Sequence, residues 1–513
     1  MSNLRVLFLY PNERSMSLVP PVIALFSRLL KDRGCEVDLF DTSGYIIEGG
    51  ASDADRVNVR ILALRPFQLG ERRIQKQDNV FKELNRKVEL FRPDLIAVSA
   101  DESTFLLGIR LLRSVRHHKV LTILGGVFAT FAPEIALSYP EIDIVCIGDG
   151  EVALVELCER LRACKDYSNV TNLWIKQKDG STIRNPLAPP VNIDDNGLPD
   201  FTIFEDNRFY RAMAGKIYRM LPIETHRGCV HACGFCNSPS QNKLYWDETK
   251  CKFFRKKSIN KVYEELIYCR DAMKAEYLFF WADEFFTYSK HEIDEFCEMY
   301  SDIRLPFYCQ ARPESITAYK IRRLKEVGMH RLGVGLEHGN EKFRREVVNR
   351  HYSNKIAIER LRIPARYGVT FSVNNIIGFP DETPELAMDT VELNRQIDAA
   401  DTRSCSIFAP FHGTALRELA IKRGYLNPDA IAKANTDDSI LDMPNFTRDQ
   451  IHGLRRTFNM YIKFPKSRWN EIRLAEQLTP QGDAVWNKLR EEFDTTFLTS
   501  LSDGDGNGKL KCT

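Results

Sequence analysis

The sequence lacks an excess of either charge. Its 513 residues include 72 Lys and Arg against 70 Asp and Glu, for a formal net charge of +2, and no long basic block is present. A phosphate backbone is bound by concentrated positive charge, so no nucleic-acid partner is expected. No apolar run approaches the about 18 residues of a membrane-spanning helix, and the first residues do not have the layout of a signal peptide. We therefore expect a cytoplasmic protein without a membrane span.

Closely spaced cysteines are also rare. Of the 13 cysteines in the chain, only Cys229, Cys233 and Cys236 are clustered. A long chain without a secretory signal is not expected to carry a disulfide framework, so the scattered cysteines fit free thiols in a reducing compartment. The length is sufficient for two or three domains, each with its own core.

The three clustered cysteines have C-x-x-x-C-x-x-C spacing and follow an apolar run at residues 220–223. A 4Fe–4S cluster needs four ligands, normally four cysteine thiolates. Three thiolates from one loop leave one iron open, and the amino and carboxylate groups of S-adenosylmethionine (SAM) can fill that position. A structural zinc site is the alternative, with His226 or His231 as the fourth ligand, but neither histidine has a zinc-finger arrangement. The spacing therefore favours the 4Fe–4S cluster.

The stretch E-T-H-R-G-C-V-H-A-C-G-F-C-N at residues 224–237 resembles the signature of the radical SAM superfamily. The resemblance implies that Phe235, the residue before the third cysteine, packs near the adenine of SAM. It also implies that the reduced cluster cleaves SAM to methionine and a 5′-deoxyadenosyl radical, which removes hydrogen from an unactivated carbon.

Residues 1 to about 165 alternate apolar strands with helical patterns. This alternation predicts a parallel sheet covered on both faces, with an irregular insertion at 48–75. Ligands bind such sheets at the carboxyl ends of the strands, so the candidate loops are 11–16, 100–104, 125–131 and 148–151. The predicted strands are 6–10, 37–40, 95–99, 120–124 and 144–147, and the predicted helices are 21–31, about 104–115 and 133–138.

The Gly125-Gly126 pair lacks the G-x-G-x-x-G spacing of a dinucleotide site. By itself it is compatible with a flavodoxin-like domain whose site is empty or holds a nucleotide. With its context, G-G-V-F-A-T-F-A-P-E at 125–134 and D-I-V-C-I-G-D-G-E at 143–151, it resembles the cobalamin-binding domain that precedes many radical SAM barrels. The resemblance implies cobalamin contacts at the following residues: Asn12, Ser99, Gly125, Gly126, Val127, Thr130, Gly148, Gly150 and Glu151.

Two features depart from cobalamin-binding relatives. Phe128 stands where many relatives have His, and no D-x-H-x-x-G motif follows the first strand. The loop at 11–16 contains no His, and His117 and His118 lie away from the carboxyl ends of the strands. We therefore expect cobalamin to bind with its own base displaced and without a protein histidine on cobalt.

The rest of the chain divides into three parts. Residues 166–215 are predicted to be a linker with a short hairpin at 172–175 and 182–185 around Asp179-Gly180. Residues 216–425 contain six strand–helix units, with strands at 219–224, 276–281, 306–310, 331–336, 370–377 and 403–408. These units resemble the partial (β/α)6 barrel of the radical SAM family. Residues 426–500 are predicted to be helical, and the Gly/Asp/Ser-rich tail from Ser502 is predicted to be disordered.

Active sites of such barrels lie at the carboxyl ends of the strands, where the polar residues cluster. Asp283 and Glu284 follow the second strand and are assigned jointly to the SAM amino group, because the sequence does not say which points inward. G-F-P-D-E-T at 378–383 resembles the family segment beside adenine. The implied SAM contacts are Phe235, Asp283, Glu284, Arg312, Glu337, Gly378 and Pro380, and the catalytic or substrate candidates are Tyr308, Gln310, His338, Phe411 and His412.

The resemblance covers nearly the whole chain and implies a cobalamin-dependent radical C- or P-methyltransferase. A cobalamin-using oxidative cyclase or ring-rearranging enzyme is the alternative among enzymes. A non-catalytic cobalamin or redox sensor is the alternative from another class, although the three cysteines and the acidic residues argue against it. The expected partners are a small-molecule substrate and a low-potential electron donor of the flavodoxin or ferredoxin type, and the chain is expected to be a monomer.

Overall fold

The computed structural model describes residues 3–13, 17–47, 62, 76 and 78–498. The tail from Ser502 lies outside the described residues, as does the predicted insertion at 48–75 apart from residue 62. The candidate loop at 11–16 is described as far as Glu13.

The first sheet contains five parallel strands in the order β2-β1-β3-β4-β5. This is the flavodoxin-like order, in which the switch point lies between β1 and β3. The predicted hairpin is present and continues the sheet antiparallel to β5. The strands are β1 Arg5–Tyr10, β2 Glu36–Asp41, β3 Leu95–Ser99, β4 Leu121–Gly125, β5 Ile144–Cys146, β6 Leu173–Lys176 and β7 Thr182–Arg184.

The described helices of this part are α1 Pro21–Asp32, α2 Val80–Phe91, α3 Glu102–Val115, α4 Val127–Phe131, α5 Pro133–Ser138 and α6 Glu151–Arg162. The prediction of a loop at 125–131 is therefore wrong for most of its length, because α4 occupies it. Gly126 has φ of +121°, and a Cβ atom there would lie 2.4 Å from the carbonyl oxygen of Ala100. Only glycine allows β4 to approach β3 this closely before α4 begins.

The second sheet has the order β16-β15-β14-β13-β12-β9-β8. Six neighbouring strands are parallel, which confirms the predicted partial barrel. The edge strand β8, which the sequence did not predict, is antiparallel to β9. The strands are β8 Tyr210–Met213, β9 Lys216–Glu224, β12 Tyr277–Trp281, β13 Phe307–Ala311, β14 Met329–Glu337, β15 Thr370–Ile377 and β16 Thr402–Ile407, with a small separate pair β10 His226–Arg227 and β11 Arg255–Lys256.

The helices around this sheet are α7 Ser238–Thr249, α8 Ile259–Ile267, α9 Lys290–Tyr300, α10 Ala318–Glu326, α11 Glu341–Glu346, α12 Asn354–Arg366, α13 Pro384–Arg395 and α14 Ala415–Lys422. Three more follow, α15 Arg448–Lys463, α16 Trp469–Glu476 and α17 Pro480–Phe493. No helix of the described part is long and apolar enough to cross a membrane.

The prediction that residues 426–447 are helical is wrong. This segment consists of turns and irregular chain, consistent with its turn-forming Asn-Pro-Asp and Pro-Asn sequences. A side chain outside the segment binds its backbone, since Arg417 donates hydrogen bonds of 2.7 Å to the carbonyl oxygens of Pro428 and Ala430. The segment thereby lies against the end of β16, where the amide of Ile407 donates to Asn435 at 2.9 Å.

Candidate active site

The three clustered cysteines lie in the loop after β9 and β10, at the carboxyl end of the second sheet. Cys229 and Cys233 are buried and Cys236 is partly exposed. Burial raises the pKa of Cys229 to about 12 and also raises the pKa of Cys236, so iron must displace these protons on binding. Among the described residues, no three His, Cys, Asp or Glu side chains converge closely enough for one metal ion. A 4Fe–4S cluster would take each of the three cysteines on a separate iron.

The cysteine loop is tied to two distant segments through its backbone. The amide of Gly234 donates to the carbonyl of Val348 at 2.9 Å, and the carbonyl of Gly234 accepts from the amide of Leu416 at 2.9 Å. Two side-chain amides hold the flanking carbonyls, because Asn242 donates to Cys229 at 2.8 Å and Asn349 donates to Ala232 at 2.6 Å. The position of the three sulfurs is therefore set by the surrounding protein.

Two guanidinium groups face the sulfur of Cys233. Arg312 Nη1 lies 3.5 Å and Arg350 Nε lies 3.3 Å from this Sγ atom. Positive charge at this distance offsets the negative charge of a thiolate-bound cluster, so the surroundings fit the group. Arg350 was missed by the sequence reasoning, because it lies between two helices in N-R-H and has no motif of its own.

Asp283 and Glu284 have different surroundings. Glu284 is 3% exposed, accepts a hydrogen bond from His231 and accepts another from the amide of Arg312 at 3.3 Å. Burial alone would raise the pKa of Glu284, but these hydrogen bonds hold it below its usual value. Asp283 instead opens onto a cavity and accepts from the hydroxyl of Ser238 at 3.0 Å. Limited hydration raises the pKa of Asp283.

Glu337, at the end of β14, is the third acidic residue near the cysteine loop. It is 7% exposed and has φ of +67°, which directs its carboxylate back toward Arg350 at 3.3 Å. Burial raises the pKa of Glu337, and the positive charges of Arg350 and Arg312 partly oppose that increase. The structure thus brings Arg312 and Glu337 together at the cysteine loop.

The loop after β15 contains Gly378 and Pro380 and lies beside Phe235, whose ring centroid is 6.1 Å from that of Phe379. The amide of Phe379 donates to the carboxylate of Glu382 at 2.9 Å, and the amide of Gly378 donates to the same oxygen. Gly378 has φ of +82°, a conformation that favours glycine. This arrangement presents the loop backbone next to Phe235.

His338 supports this loop from behind. Its Nε2 lies 3.0 Å from Glu382 Oε1, and both side chains are fully buried. The amide of Asn340 donates to His338 Nδ1 at 3.1 Å, so Nε2 carries the proton that is donated to Glu382. Because both ring nitrogens are used inside the protein, this position does not fit the predicted contact of His338 with a substrate.

A cavity of about 670 Å³ lies between the carboxyl ends of the two sheets. On one side it is lined by residues of the first sheet and its loops, and on the other by Cys236, Trp281 and Asp283 of the barrel. All predicted cobalamin contacts except Asn12 line it, namely Ser99, Gly125, Gly126, Val127, Thr130, Gly148, Gly150 and Glu151. Between the sheet and α1 the lining is apolar and includes Phe8, Leu25, Phe26 and Leu154.

Asn12 does not line this cavity. Its side-chain amide donates to Ser17 at 2.7 Å and to Ser43, and its backbone amide donates to Thr42 at 2.7 Å. The side chain joins the end of β1 to the segment after β2 and is 4% exposed. The predicted cobalamin contact of Asn12 therefore does not fit the structure.

Arg227 links the two sheets beside the cavity. Its guanidinium bonds both carboxylate oxygens of Glu224 at 2.9 and 3.1 Å, and it also contacts Glu151 at 2.6 Å and Asp149 at 3.2 Å. Arg255 adds a second contact to Asp149 at 2.7 Å. Glu151 thus lines the cavity, and its negative charge is paired with Arg227 of the barrel. We call Arg227, Arg255, Asp149, Glu151 and Glu224 the arginine clamp.

Gly148 lies within the same contact. The Oη atom of Tyr245 lies 2.7 Å from the amide of Asp149 and accepts its hydrogen bond. A Cβ atom at Gly148 would lie 2.4 Å from this oxygen, and Gly148 also has φ of +70°. The glycine therefore allows helix α7, which follows the cysteines, to contact the 148–151 loop.

A second contact between the sheets involves Phe411 and His412. Glu102 accepts hydrogen bonds of 2.8 Å from the amide and from Nδ1 of His412 and one of 2.7 Å from the amide of Ala432. Neither Phe411 nor His412 is among the residues that line the cavity. The structure therefore places His412 at the contact between the domains, beside Phe128 at a ring distance of 5.4 Å, and not at a substrate.

Tyr308 and Gln310 lie on the inner face of the barrel, as strand alternation predicts. Tyr308 is 8% exposed and packs against Phe279 with ring centroids 4.6 Å apart. Gln310 lies two residues closer than Tyr308 to the carboxyl end of β13 and is partly exposed. The two residues lie in the interior that opens toward the cysteine loop.

Two family models match the chain. Residues 223–393 match the radical SAM superfamily, and residues 17–158 match the B12 binding domain. The chain is therefore a radical SAM enzyme, which confirms the prediction from the cysteine spacing. More particularly, it is a radical SAM enzyme whose barrel follows a cobalamin-binding domain, and its cofactors are a 4Fe–4S cluster, SAM and cobalamin.

Individual relatives resemble the chain over most of its length. It is 25% identical over 394 residues to an uncharacterized methyltransferase of Pyrococcus horikoshii, an alignment that covers 76% of this chain and 82% of the relative. It is 23% identical over 429 residues to the anaerobic magnesium-protoporphyrin IX monomethyl ester cyclase of Rubrivivax gelatinosus, covering 80% and 68% of the two chains. The solved structure of the radical SAM methyltransferase TsrM from Kitasatospora setae shares the fold, with a TM-score of 0.62 at 16% identity and coverage of 91% and 82%.

Proposed function

We propose that this protein is a cobalamin-dependent radical SAM methyltransferase acting on an unactivated carbon or phosphorus centre of a small molecule. The observation that carries this proposal is the shared cavity, which joins the glycine loops of the first sheet to Cys236 and the barrel mouth. When bound, the cluster and SAM supply the 5′-deoxyadenosyl radical and cobalamin carries the methyl group. The chain's own residues hold these groups close together and exclude water.

We assign the SAM contacts from their placement around the cysteine loop. Glu284 is kept ionised by His231 and the amide of Arg312, and an ionised carboxylate suits the ammonium group of SAM. Glu337 and Arg350 form a buried ion pair beside Cys233. We propose that this pair contacts SAM from the side of the cysteine loop opposite Glu284. Phe235 and the loop at Gly378 and Pro380 offer an apolar face and a nearby backbone to adenine.

We assign the cobalamin contacts to the loops that line the cavity. Gly125 and Gly126 allow a bulky ring system to approach the backbone. The hydroxyl of Thr130 joins the two glycine loops, because it donates to the carbonyl of Gly126 at 3.1 Å and accepts from the amide of Gly148 at 3.0 Å. The apolar end of the cavity between the first sheet and α1 suits the nucleotide tail. The barrel side of the cavity then faces the open corner of the cluster.

Methyl transfer and cyclisation are separated by their products. With its substrate supplied, a radical methyltransferase should release 5′-deoxyadenosine and S-adenosylhomocysteine in about equal amounts, because one SAM supplies the radical and a second the methyl group. A cyclase, as one relative is named, would give only the first. Chromatography of the products with methyl-labelled SAM checks this prediction, and a product without label would reject methylation.

Cobalt should have no protein ligand on its lower face. His226 is the histidine that lines the cavity among the described residues, and it belongs to the barrel, where its Nδ1 contacts Thr225 at 2.8 Å. A ligating histidine needs a fixed position and an orienting partner, and no such residue was found in the described loops of the first sheet. We expect the electron paramagnetic resonance spectrum of the cobalt(II) form to lack nitrogen superhyperfine splitting. Such splitting, from histidine or from the cofactor's own base, would contradict the prediction.

The remaining partners follow from the proposed reaction. A radical SAM enzyme needs a reductant for each cluster turnover, and a flavodoxin or ferredoxin is the kind of low-potential donor that we propose. We also propose that the protein is a monomer and that it is located in the cytoplasm. Size-exclusion chromatography with light scattering measures its oligomeric state directly.

A further inference from the structure

Part of the predicted linker forms a wall of the cavity. The linker residues that line it are Asn196, Gly197, Pro199 and Phe201. This stretch is packed on α1, since the amide of Asp200 donates to the carbonyl of Ala24 at 2.9 Å. The linker is also tied to the barrel, because the amide of Ser258 donates to the carboxylate of Asp194 at 2.9 Å. The linker therefore has a fixed position between α1 and the barrel.

Two residues of the cavity lining have a buried side-chain nitrogen without a hydrogen-bond partner among the described residues. They are Asn196, at Nδ2, and His226, at Nε2. Buried charges of the same lining are paired, since Lys257 contacts Glu265 at 2.6 Å. A buried N–H donor without an acceptor is costly and uncommon in proteins. We therefore expect a ligand in the cavity to supply the missing acceptor.

The two nitrogens belong to different sides of the cavity. His226 lies on β10 of the barrel, and its Nδ1 contacts the hydroxyl of Thr225 at 2.8 Å. Asn196 is 8% exposed and precedes Gly197, where a Cβ atom would lie 3.2 Å from Cγ of Arg28 on α1. Asn196 is thus the unpartnered donor on the side of α1.

The part of cobalamin that matches this side is the aromatic base of its nucleotide tail. Between the first sheet and α1 the lining includes Phe8, Leu25, Phe26, Leu154 and Phe201. Such side chains suit a flat aromatic ring, whereas the amide-bearing corrin and the phosphate need polar partners. When the base leaves cobalt, the ring nitrogen that ligated the metal becomes a neutral hydrogen-bond acceptor. Burying this acceptor in apolar surroundings is costly unless a donor meets it.

We propose that Asn196 donates a hydrogen bond from Nδ2 to the ring nitrogen of the displaced base, and that this contact selects cobamides whose lower base carries such a nitrogen. The contact satisfies the donor of the protein and the acceptor of the cofactor together. Asn196 lies between the two family matches, which cover residues 17–158 and 223–393, so neither match points to it. The inference rests on the proposed function, because it needs cobalamin in this cavity with its base displaced.

The test titrates three corrinoids into the full chain loaded with its cluster and free of cobalamin. They are hydroxocobalamin; p-cresolylcobamide, whose lower base is a phenol ring without nitrogen; and diaquocobinamide, which has neither base nor nucleotide. Calorimetry should give hydroxocobalamin a Kd about tenfold lower than that of p-cresolylcobamide, as expected for one buried hydrogen bond. The absorption spectrum of bound hydroxocobalamin should be that of the form with its base displaced.

Two substitutions at Asn196 isolate the hydrogen bond from the difference in ring size. Asn196→Leu keeps most of the volume without a donor, and Asn196→Ala removes the amide. In both variants the tenfold difference should fall to about twofold, and the Kd of p-cresolylcobamide should change little, because only the nitrogen-bearing base loses a partner. Asn470→Leu is the matched control, since Asn470 is exposed on α16 and does not line the cavity. This variant should keep the tenfold difference.

The inferred hydrogen bond is wrong under any of four results. These are equal binding of hydroxocobalamin and p-cresolylcobamide, a tenfold difference that persists in both Asn196 variants, equal weakening of all three corrinoids by these variants, and a spectrum with the base on cobalt. The titrations need no turnover, so they are independent of methyl transfer. Labelled product from methyl-labelled SAM tests the proposed function separately, and its absence beside a tenfold preference that Asn196 controls would reject methylation alone.

Discussion

Replacing Cys229, Cys233 or Cys236 singly with Ala should abolish the formation of 5′-deoxyadenosine from SAM. Each of the three sulfurs would hold one iron of the cluster, and SAM would bind the iron that has no cysteine ligand. With one cysteine missing, the cluster is not held with one open corner. Anaerobically reconstituted protein should contain about four irons per chain, measured by iron analysis, and the variants should lose most of this iron.

The control for this prediction uses cysteines outside the loop. Cys269 and Cys297 are buried in the core, and Cys251 is partly buried after α7. Ala at any of these positions should leave the iron content unchanged. If one of the three loop variants still formed 5′-deoxyadenosine, the assignment of its cysteine as a cluster ligand would be wrong.

Arg227→Ala should strongly destabilise the contact between the two sheets. The substitution leaves Glu224, Asp149 and Glu151 with less of the positive charge that they face, and their side chains are 19%, 7% and 6% exposed. Removing one partner from a buried ion pair costs about 3–5 kcal/mol. Urea unfolding followed by fluorescence measures the loss, and the same variant should retain cobalamin poorly, because Glu151 lines the cavity.

Arg345→Ala is the matched control for the arginine clamp. Arg345 is also an arginine in an ion pair, but its side chain is 56% exposed and contacts Glu346, which is 49% exposed. Exposed ion pairs contribute about 0–1 kcal/mol to the free energy of unfolding. The urea midpoint of this variant should therefore be close to that of the unmodified protein. Equal unfolding of the Arg227 and Arg345 variants would show that the clamp does not stabilise the protein.

The sequence predicted those parts of the fold that depend on local patterns. The parallel strands have apolar runs of the right length, and the cysteines are close along the chain, so their chemistry is visible in one short stretch. Residues 426–447 were predicted as helix because helical segments follow them, but contacts with Arg417 and Glu102 decide their path. Such contacts join residues that are far apart in the chain.

The candidate site was predicted less completely for the same reason. Arg350 and Arg227 act through partners more than 70 residues away, at Cys233 and Glu151, and no spacing rule reveals them. His338 and His412 were predicted as catalytic or substrate candidates because they follow barrel strands at their carboxyl ends. In the structure their carboxylate partners, Glu382 and Glu102, lie on distant segments of the chain. His338 therefore supports the loop after β15, and His412 joins the two domains.

The backbone ties on Gly234 bear on how the enzyme is assembled. In a small zinc domain, metal binding provides the free energy that orders the chain. Here Val348 and Leu416 belong to the barrel and hold the cysteine loop through ordinary amide hydrogen bonds, so most of its order comes from folding of the barrel. Synthesis and maturation can then be separate events. The newly made polypeptide would reach its final shape first and receive iron and sulfide afterwards, and a cell short of iron would accumulate a folded precursor ready for activation.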